Sequence, residues 1–386
     1  MNKIKIACIA DIHFGIHSTK KLYEELDTIF ISYISNNDID IVFICGDLFD
    51  AKLYVNSSNT KLATAFWMKL MRVCTRKDIK VRVVGGTLSH DNDQVPLLET
   101  ISQDFPVDLK YYPQVSTEEI FPDFKVLYLP EEYVSNGAEY YKEYLGDNKY
   151  DMIVGHGLLK EVGFCALKQE SEKSISSAYM FDTNELIKCC YGPIVFGHIH
   201  EHQLIKSYAF YCGSFSRWSY CEEGDKGFLV FDYNTSKKTF DYEFIINTLA
   251  TKYDTMEIKC INKNNEQEDI LFKRILDEIK MLVDGLEYDN LRLKFYILDG
   301  IKNIGLLTSL ITATFGKYKN VKIVIENKIQ KNMEKDLNEK LTILMDRYGF
   351  IFDKNMPRAN TVSKYIETRY KENISVEDIL KYTTKI

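Results

Sequence analysis

From Met1 to about Leu249, short apolar runs of β type alternate with stretches of helical periodicity. Ile4 to Ala10, Ile39 to Cys45, Val81 to Val84, Met152 to Val154 and Ile194 to Phe196 read as buried strands. Between the first two, Leu22, Leu26, Ile29, Phe30 and Tyr33 recur at helical spacing, and Leu62, Phe66, Leu70 and Val73 do so before the third. Strand, helix, strand, helix, strand predicts an α/β layered core. The pattern then changes to consecutive strands at Ala209 to Cys212, Lys226 to Asp232 and Thr239 to Ile246. Hairpins are the expected connections, with Asn234-Thr235-Ser236 as the turn between the last two.

A second domain is expected from about Thr251, giving a division into 1–250, 251–327 and 328–386. Its strand Met256 to Ile261 precedes a helix from about Glu268 to Val283. Leu291, Leu293, Phe295 and Ile297 then alternate with polar or amphipathic neighbours, a period of two that predicts a strand with one buried face. A helix over Asn303 to Phe315 leads to a strand at Val321 to Ile325. This is a small α+β module without a catalytic constellation. From Lys328 the chain reads as a helical tail: Pro357 precedes an amphipathic segment, Val362 to Tyr370, and Ser375 to Asp378 has the pattern of a helix start.

Composition narrows the class. At 386 residues the chain exceeds what one hydrophobic core serves, and its 45% hydrophobic fraction is ordinary for a globular protein. Apolar runs stay below the ~20 residues that span a bilayer, and Met1-Asn2-Lys3 leads straight into a strand, so neither export nor membrane insertion is expected. Nine cysteines show no CxxC pair, which disfavours a cysteine zinc site or a disulfide framework and fits a reducing cytoplasm. A net charge of −7 argues against nucleic-acid binding by bulk electrostatics alone, yet divalent ions in an acidic pocket would invert the field locally.

A polar cluster follows each of the five apolar runs: Asp11-Ile12-His13, Gly46-Asp47-Leu48-Phe49-Asp50, Ser89-His90-Asp91, Gly155-His156-Gly157 and Gly197-His198-Ile199-His200. Five of the seven histidines fall in them. Strand C-termini are where open α/β sheets bind ligands. Hydrolysis of a phosphoester needs an activated water, neutralised nonbridging oxygens and help for the leaving oxygen, most of which two divalent ions ~3.5 to 4 Å apart supply. Such a pair needs a bridging carboxylate with imidazoles and carboxylates around it, and those residue types are what the clusters offer. Each cluster alone is far more often chance or turn chemistry than a site; five in this order are not.

The series resembles the calcineurin-like metallophosphoesterases, whose pattern is D-x-H, G-D-x-x-D, G-N-H-D/E, G-H and G-H-x-H. More narrowly, the chain is similar to the SbcD-type nuclease subunits of DNA double-strand-break repair complexes, bacteriophage recombination endonuclease subunits included. Gly155-His156-Gly157, Gly197 to His200, and the stretch Tyr211-Cys212-Gly213-Ser214-Phe215-Ser216-Arg217 leading to Glu222-Glu223 and Lys226-Gly227-Phe228 carry that similarity. The motifs cover roughly Met1 to Ile246.

The resemblance implies a four-layer α-β-β-α core with a smaller capping domain that helps place DNA. It implies a first metal held by Asp11, His13 and His200, a bridging Asp47, and a second metal held by His156 and His198, with Mn preferred and Mg possible. His90 would stand beside the scissile phosphate, and Asp50 and Asp91 would orient ligands by hydrogen bonds. The implied activity is DNA exonuclease on duplex ends and endonuclease on single strands. The implied partners are an SbcC-type coiled-coil ATPase, docked by the C-terminal helices, and a second copy of the chain. The implied location is the cytoplasm, a host's for a phage protein.

One cluster departs from the family pattern. Ser89 in Gly86-Thr87-Leu88-Ser89-His90-Asp91 stands where the family has a metal-binding asparagine. A serine hydroxyl is a shorter and poorer ligand, so the loop moves closer, water or Thr87 fills the gap, or the second ion binds more weakly; weaker binding is the expectation. Arg217 is expected to brace the site loops, with substrate contact as the alternative, and His17 to be a loop residue rather than a phosphate contact. His202 invites the same caution, and Trp67 and Trp218 read as packing. Two other readings of function remain open: a phosphodiesterase or phosphatase for small substrates, and a non-cutting metal-stabilised scaffold for the ATPase.

Overall fold

The computed structural model describes residues 3–16, 19–91, 93–161, 178–220, 222, 224–298, 300–328, 356–370 and 375–377. In chain order its strands are β1 (Ile4–Ile9), β2 (Ile41–Cys45), β3 (Lys80–Val84), β4 (Leu109–Tyr112), β5 (Ser116–Phe121), β6 (Phe124–Leu129), β7 (Met152–His156) and β8 (Ile194–Gly197). They continue with β9 (Gln203–Lys206), β10 (Ala209–Tyr211), β11 (Gly227–Asn234), β12 (Thr239–Ile246), β13 (Tyr253–Cys260), β14 (Asn290–Ile297) and β15 (Val321–Asn327).

Two mixed sheets of six strands run in the orders β12-β11-β1-β2-β3-β4 and β5-β6-β7-β8-β10-β9. The parallel pairs β1 to β4 and β6, β7, β8 and β10 form the inner part of each. Successive residues of a strand point to opposite faces, so each central strand feeds two cores. Ile4, Ile6 and Cys8 of β1 share the core between the sheets with Phe124, Val126 and Tyr128 of β6. Ala7 and Ile9 of the same strand share an outer core with Phe30, Phe66, Trp67 and Leu70 from helices. On the far side Leu127, Ile153 and Phe196 do likewise with Tyr141, Leu186 and Cys189. Helix, sheet, sheet, helix is the four-layer α-β-β-α arrangement.

The helix Ser58–Lys77 illustrates how local sequence sets these elements. Ser57 Oγ accepts from Thr60 N at its start, Arg76 and Lys77 sit in its last turn, and Asp78 closes it in the left-handed conformation. Trp67 on its buried face donates to Leu98 O at 3.1 Å and Ser102 Oγ at 2.8 Å, a packing role as expected. The helical periodicity before β2 corresponds to Thr19–Glu25, a π-helical stretch Leu26–Ile31, and Ser32–Asn36.

The hairpin expectation holds only in part. β11 and β12 pair antiparallel around Asn234, whose Oδ1 accepts from Lys237 N. β10, in contrast, lies in the other sheet between β8 and β9, so β10 and β11 belong to different sheets. The periodicity of β10 gave no sign of which neighbour it would choose.

A buried ion pair clips the sheets together. Arg82 of β3, 1% exposed, forks onto Glu118 of β5 with Nε to Oε2 at 2.7 Å and Nη2 to Oε1 at 2.9 Å. Tyr112 and Tyr128 hydroxyls also donate to Glu118 Oε2.

The chain divides into two compact units near Asp254, with Tyr288–Asn290 belonging to the first. In the second, β13, β14 and β15 form a sheet, with β14 and β15 parallel. Leu291, Leu293, Phe295 and Ile297 are buried as their period of two predicts. Helices Glu268–Asp284 and Ile304–Phe315 bury Leu271, Phe272, Leu276, Leu307, Ile311 and Phe315. Asn303 caps the second of these through Leu306 N. In the tail a helix covers Arg358–Tyr370, just after Pro357, whose carbonyl accepts from Thr361 N. Asp378, which completes the second expected helix start, lies outside the described residues. No described helix is long and apolar enough to cross a membrane, and the described cysteines are buried and free of disulfides.

Candidate metal centre

Each polar cluster leaves the C-terminal end of a parallel strand: Asp11 and His13 after β1, Asp47 after β2, His90 and Asp91 after β3, His156 at the end of β7, and His198 and His200 after β8. The turns there are tight. Asp11, His13, Asp47 and His198 all take positive φ, at 49°, 52°, 47° and 91°, a conformation non-glycine residues adopt at a cost and mostly at functional sites. Backbone hydrogen bonds hold the first two loops together, Asp11 N to Gly46 O at 3.3 Å and His13 N to Asp47 O at 3.1 Å. Gly46 has φ 81°, and a Cβ there would collide with the His156 ring. At Gly86 a Cβ would collide with Asp47.

Among the described residues three overlapping groups of donors result, one of them formed by His13, Asp47 and His90; the other two lie on either side of Asp47. Asp11, His13 and His200 place ligand atoms within 4.8 Å of one another, with the two imidazole Nε2 atoms 3.0 Å apart. Asp47, His156 and His198 form the second group under the same limit. Asp47 Oδ2 lies 3.3 Å from His156 Nε2 and 3.9 Å from His13 Nε2, so one carboxylate faces both groups. His90 Nδ1 lies 2.9 Å from the same oxygen. The side chains of His90 and His200 are 15% and 19% exposed while Asp11 and His156 are fully buried, which puts the first pair at the solvent side.

This donor set fits divalent cations. Buried carboxylates and imidazoles converge, His13 Nδ1 and His198 Nε2 are buried without a hydrogen bond, and His156 and Asp11 are each held in one orientation. His156 Nδ1 pairs with Cys45 O at 2.8 Å, which turns Nε2 toward Asp47. Asp11 accepts from His198 N at 2.9 Å. Burial pushes the Asp11 carboxyl up and the His13 imidazole well down, each the response of a charge denied water. Burial opposes ionisation of Asp47 and His156 too, but their mutual attraction outweighs it, holding Asp47 well below and His156 well above their ordinary values.

Around these donors, Asp50 Oδ1 lies 3.6 Å from His13 Nδ1. Asp91 accepts from Leu48 N, Phe49 N and Gly86 N, bracing the turn that carries Asp47; burial, with Asp47 alongside, raises its carboxyl to about 7. His200 Nδ1 meets Glu222 Oε1 at 3.2 Å, and Lys226 Nζ meets Glu222 Oε2 at 2.8 Å. Burial raises Glu222, yet His200 and Lys226 outweigh it and hold the carboxyl at about 2. Arg217 donates to the carbonyls of Glu222 and Gly224, so its guanidinium braces this loop. Trp218 Nε1 lies 3.4 Å from Asp11 O, and His202 stacks on Phe244 at 4.1 Å. His17 lies outside the described residues.

The structure places Ser89 on the exposed face of the short helix Leu88–Asp91. The hydroxyl beside the second group belongs to Thr87 instead, fully buried, with Oγ1 3.3 Å from Asp47 Oδ2 and 3.4 Å from His156 Nε2. Thr87 N also donates to Asp47 Oδ1 at 2.6 Å. Sequence reasoning missed Glu131 altogether. It follows β6, and its carboxylate lies 3.4 Å from His198 Nδ1 and 3.8 Å from His156 Nε2. The signal was present: Phe124 to Leu129 is an apolar run closed by Pro130-Glu131, the rule that found the other clusters.

The sequence profile of calcineurin-like phosphoesterases matches residues 4–202, which span every donor of these groups. The chain belongs to the calcineurin-like phosphoesterase family. As a member of it, the chain is a metallophosphoesterase with candidate sites for two divalent ions. No curated protein matches this phosphoesterase. Among solved structures it is similar to the cold-active protein-tyrosine phosphatase of a psychrophile, Shewanella sp., at 12% identity and a TM-score of 0.28, covering 63% of this chain and 80% of that one. A crystal structure of another chain aligns at 13% identity and a TM-score of 0.37, covering 63% of this chain and 99% of that one. Likenesses so remote carry no argument about substrate.

Proposed function

We propose that this phosphoesterase is a two-metal DNA nuclease, the SbcD-type subunit of a recombination or repair complex. The observation that carries the two-metal part is Asp47, whose single carboxylate faces both donor groups. Asp11, His13 and His200 would hold one ion and His156 and His198 the other, with the Asp47 carboxylate shared between them and Mn favoured over Mg. When bound, two such ions supply a nucleophilic water and neutralise the phosphoryl oxygens. His90, at the solvent side and aligned by Asp47, meets the phosphate and stabilises charge on it or protonates the leaving oxygen. Burial of the Asp11 and His13 side chains excludes bulk water from the floor of the site.

The DNA part is supported by the stretch from Ser214 to Phe228, whose sequence resembles that of the SbcD-type subunits. That stretch reaches the site: Glu222 and Lys226 fix His200, and Lys226 Nζ also donates to His200 O at 2.7 Å. No candidate metal group occurs among the described residues of the second unit, which agrees with a role in placing DNA rather than in chemistry. The helix Arg358–Tyr370 exposes Val362 and Tyr365, suited to docking on an SbcC-type ATPase in a complex with two copies of each subunit. The test is a nuclease assay on end-labelled duplex and single-stranded DNA, with Mn or Mg and with or without the ATPase and ATP. Hydrolysis of bis-p-nitrophenyl phosphate with no cleavage of DNA in any arm contradicts the proposal.

A further inference from the structure

Ser89 leaves this chain without the neutral oxygen donor that its pattern calls for, and the structure puts a different donor in reach. Glu131 Oε2 lies 3.4 Å from His198 Nδ1, 3.8 Å from His156 Nε2 and 3.0 Å from Thr87 Oγ1. Its other oxygen, Oε1, accepts from the Tyr133 hydroxyl at 2.5 Å. The side chain is 5% exposed, so this carboxylate has left water for a place among imidazoles.

Spacing decides what that place is. Donor atoms each about 2.1 Å from one ion stand roughly 3 to 4 Å apart. Asp47 Oδ2 to His156 Nε2 at 3.3 Å, Glu131 Oε2 to His198 Nδ1 at 3.4 Å and Glu131 Oε2 to His156 Nε2 at 3.8 Å all fall in that range. Orientation agrees. Tyr133 and the Thr87 hydroxyl hold Glu131 as outer partners hold a ligating carboxylate, while the Thr87 N–H donates to Asp47.

Resting on the two-metal reading above, we propose that Glu131 is a ligand of the second ion, completing a set of Asp47, His156, His198 and Glu131. Thr87 orients the two carboxylates, and Ser89 takes no part. The chain thereby exchanges a neutral amide for a carboxylate donated by a different strand. Two consequences follow. The second ion is held more tightly than Ser89 alone would allow, and the site selects hard, oxygen-preferring divalent ions. The extra negative charge also lessens the attraction of the loaded site for a phosphate.

The experiment is Mn titration of the metal-free chain by calorimetry, with low-temperature electron paramagnetic resonance reporting spin coupling between neighbouring ions. Wild type is compared with E131Q and S89A, all checked for native circular dichroism before metal is added. Wild type and S89A are expected to bind two ions alike. E131Q is expected to keep one affinity and lose the other at least tenfold, with the coupled signal absent at two equivalents. Two ions bound equally well by wild type and E131Q overturn the assignment of Glu131 and leave the two-metal reading standing. A wild type that binds fewer than two ions overturns both. Wild-type crystals soaked in Mn give a check independent of any variant, from anomalous scattering: Glu131 Oε2 within about 2.4 Å of the second ion is expected, and more than about 3 Å overturns the assignment.

Discussion

Glu222 Oε1 stands 3.2 Å from His200 Nδ1, and the carboxylate is held in turn by Lys226, whose ammonium is almost wholly buried. This fixes the imidazole so that Nε2 faces His13. Partners of this kind influence metal affinity by about 10 to 100-fold. Glu222→Gln is therefore expected to raise the Mn concentration for half-maximal activity by that factor. Saturating Mn should restore most of the rate, which a direct catalytic role for Glu222 would not allow.

His90 differs: its imidazole lies in donor reach of His13 and Asp47, yet the proposed function assigns it to the phosphate rather than to an ion. His90→Ala is expected to bind two Mn ions by calorimetry and to cleave phosphodiesters about 10² to 10⁴-fold more slowly. Loss of an ion in that variant would move His90 into the coordination shell.

Most of this site was legible because its strands are buried on both faces and end abruptly in polar residues. β1, β2, β3, β7 and β8 are such strands, and their boundaries agree with the apolar runs to within two residues. β5 is different: Ser116–Phe121 is a half-exposed edge strand whose Ser-Thr-Glu-Glu sequence hides its period. Passing over it and β6 meant missing Glu131. Thr87 was weighed but could not be placed, since only the turn geometry after β3 decides which hydroxyl points inward. The partner of β10 was illegible for a related reason, because pairing is set by the other strands and not by Ala209–Tyr211 itself.

That geometry changes the expectation for Ser89. Ser89 is an exposed residue, so Ser89→Asn should leave affinity for the second ion unchanged within about twofold, whereas Thr87→Val, which removes a buried hydrogen-bonding group, should weaken it. Metal titration of both variants checks the pair, and a tighter second ion in Ser89→Asn would return the ligand role to that position.

The Arg82 to Glu118 pair sets a stability prediction. Burial pushes Glu118 up, but the hydrogen bonds from Arg82, Lys110 and Tyr112 outweigh it and hold the carboxyl at about 2. A carboxyl lowered on folding contributes stability above its unfolded value of roughly 4.3, and that contribution is lost as pH falls toward 2. Glu118→Gln should cost about 3 kcal/mol at neutral pH, the low end for breaking a buried pair because Asp108 still faces Arg82, and should flatten the acid limb of the stability curve. Urea unfolding across pH 3 to 7 measures both.

The central claim is a two-metal nuclease, and metal-dependent cleavage of DNA tests it most directly. End-labelled duplex and single-stranded DNA are incubated with Mn and the wild-type, His90→Ala or Asp47→Asn chain, alone and with the ATPase subunit and ATP. The account predicts Mn-dependent cleavage by wild type that chelation stops, that Asp47→Asn abolishes and that His90→Ala slows by about 10² to 10⁴-fold. DNA left intact by a wild-type chain that still hydrolyses bis-p-nitrophenyl phosphate would contradict it.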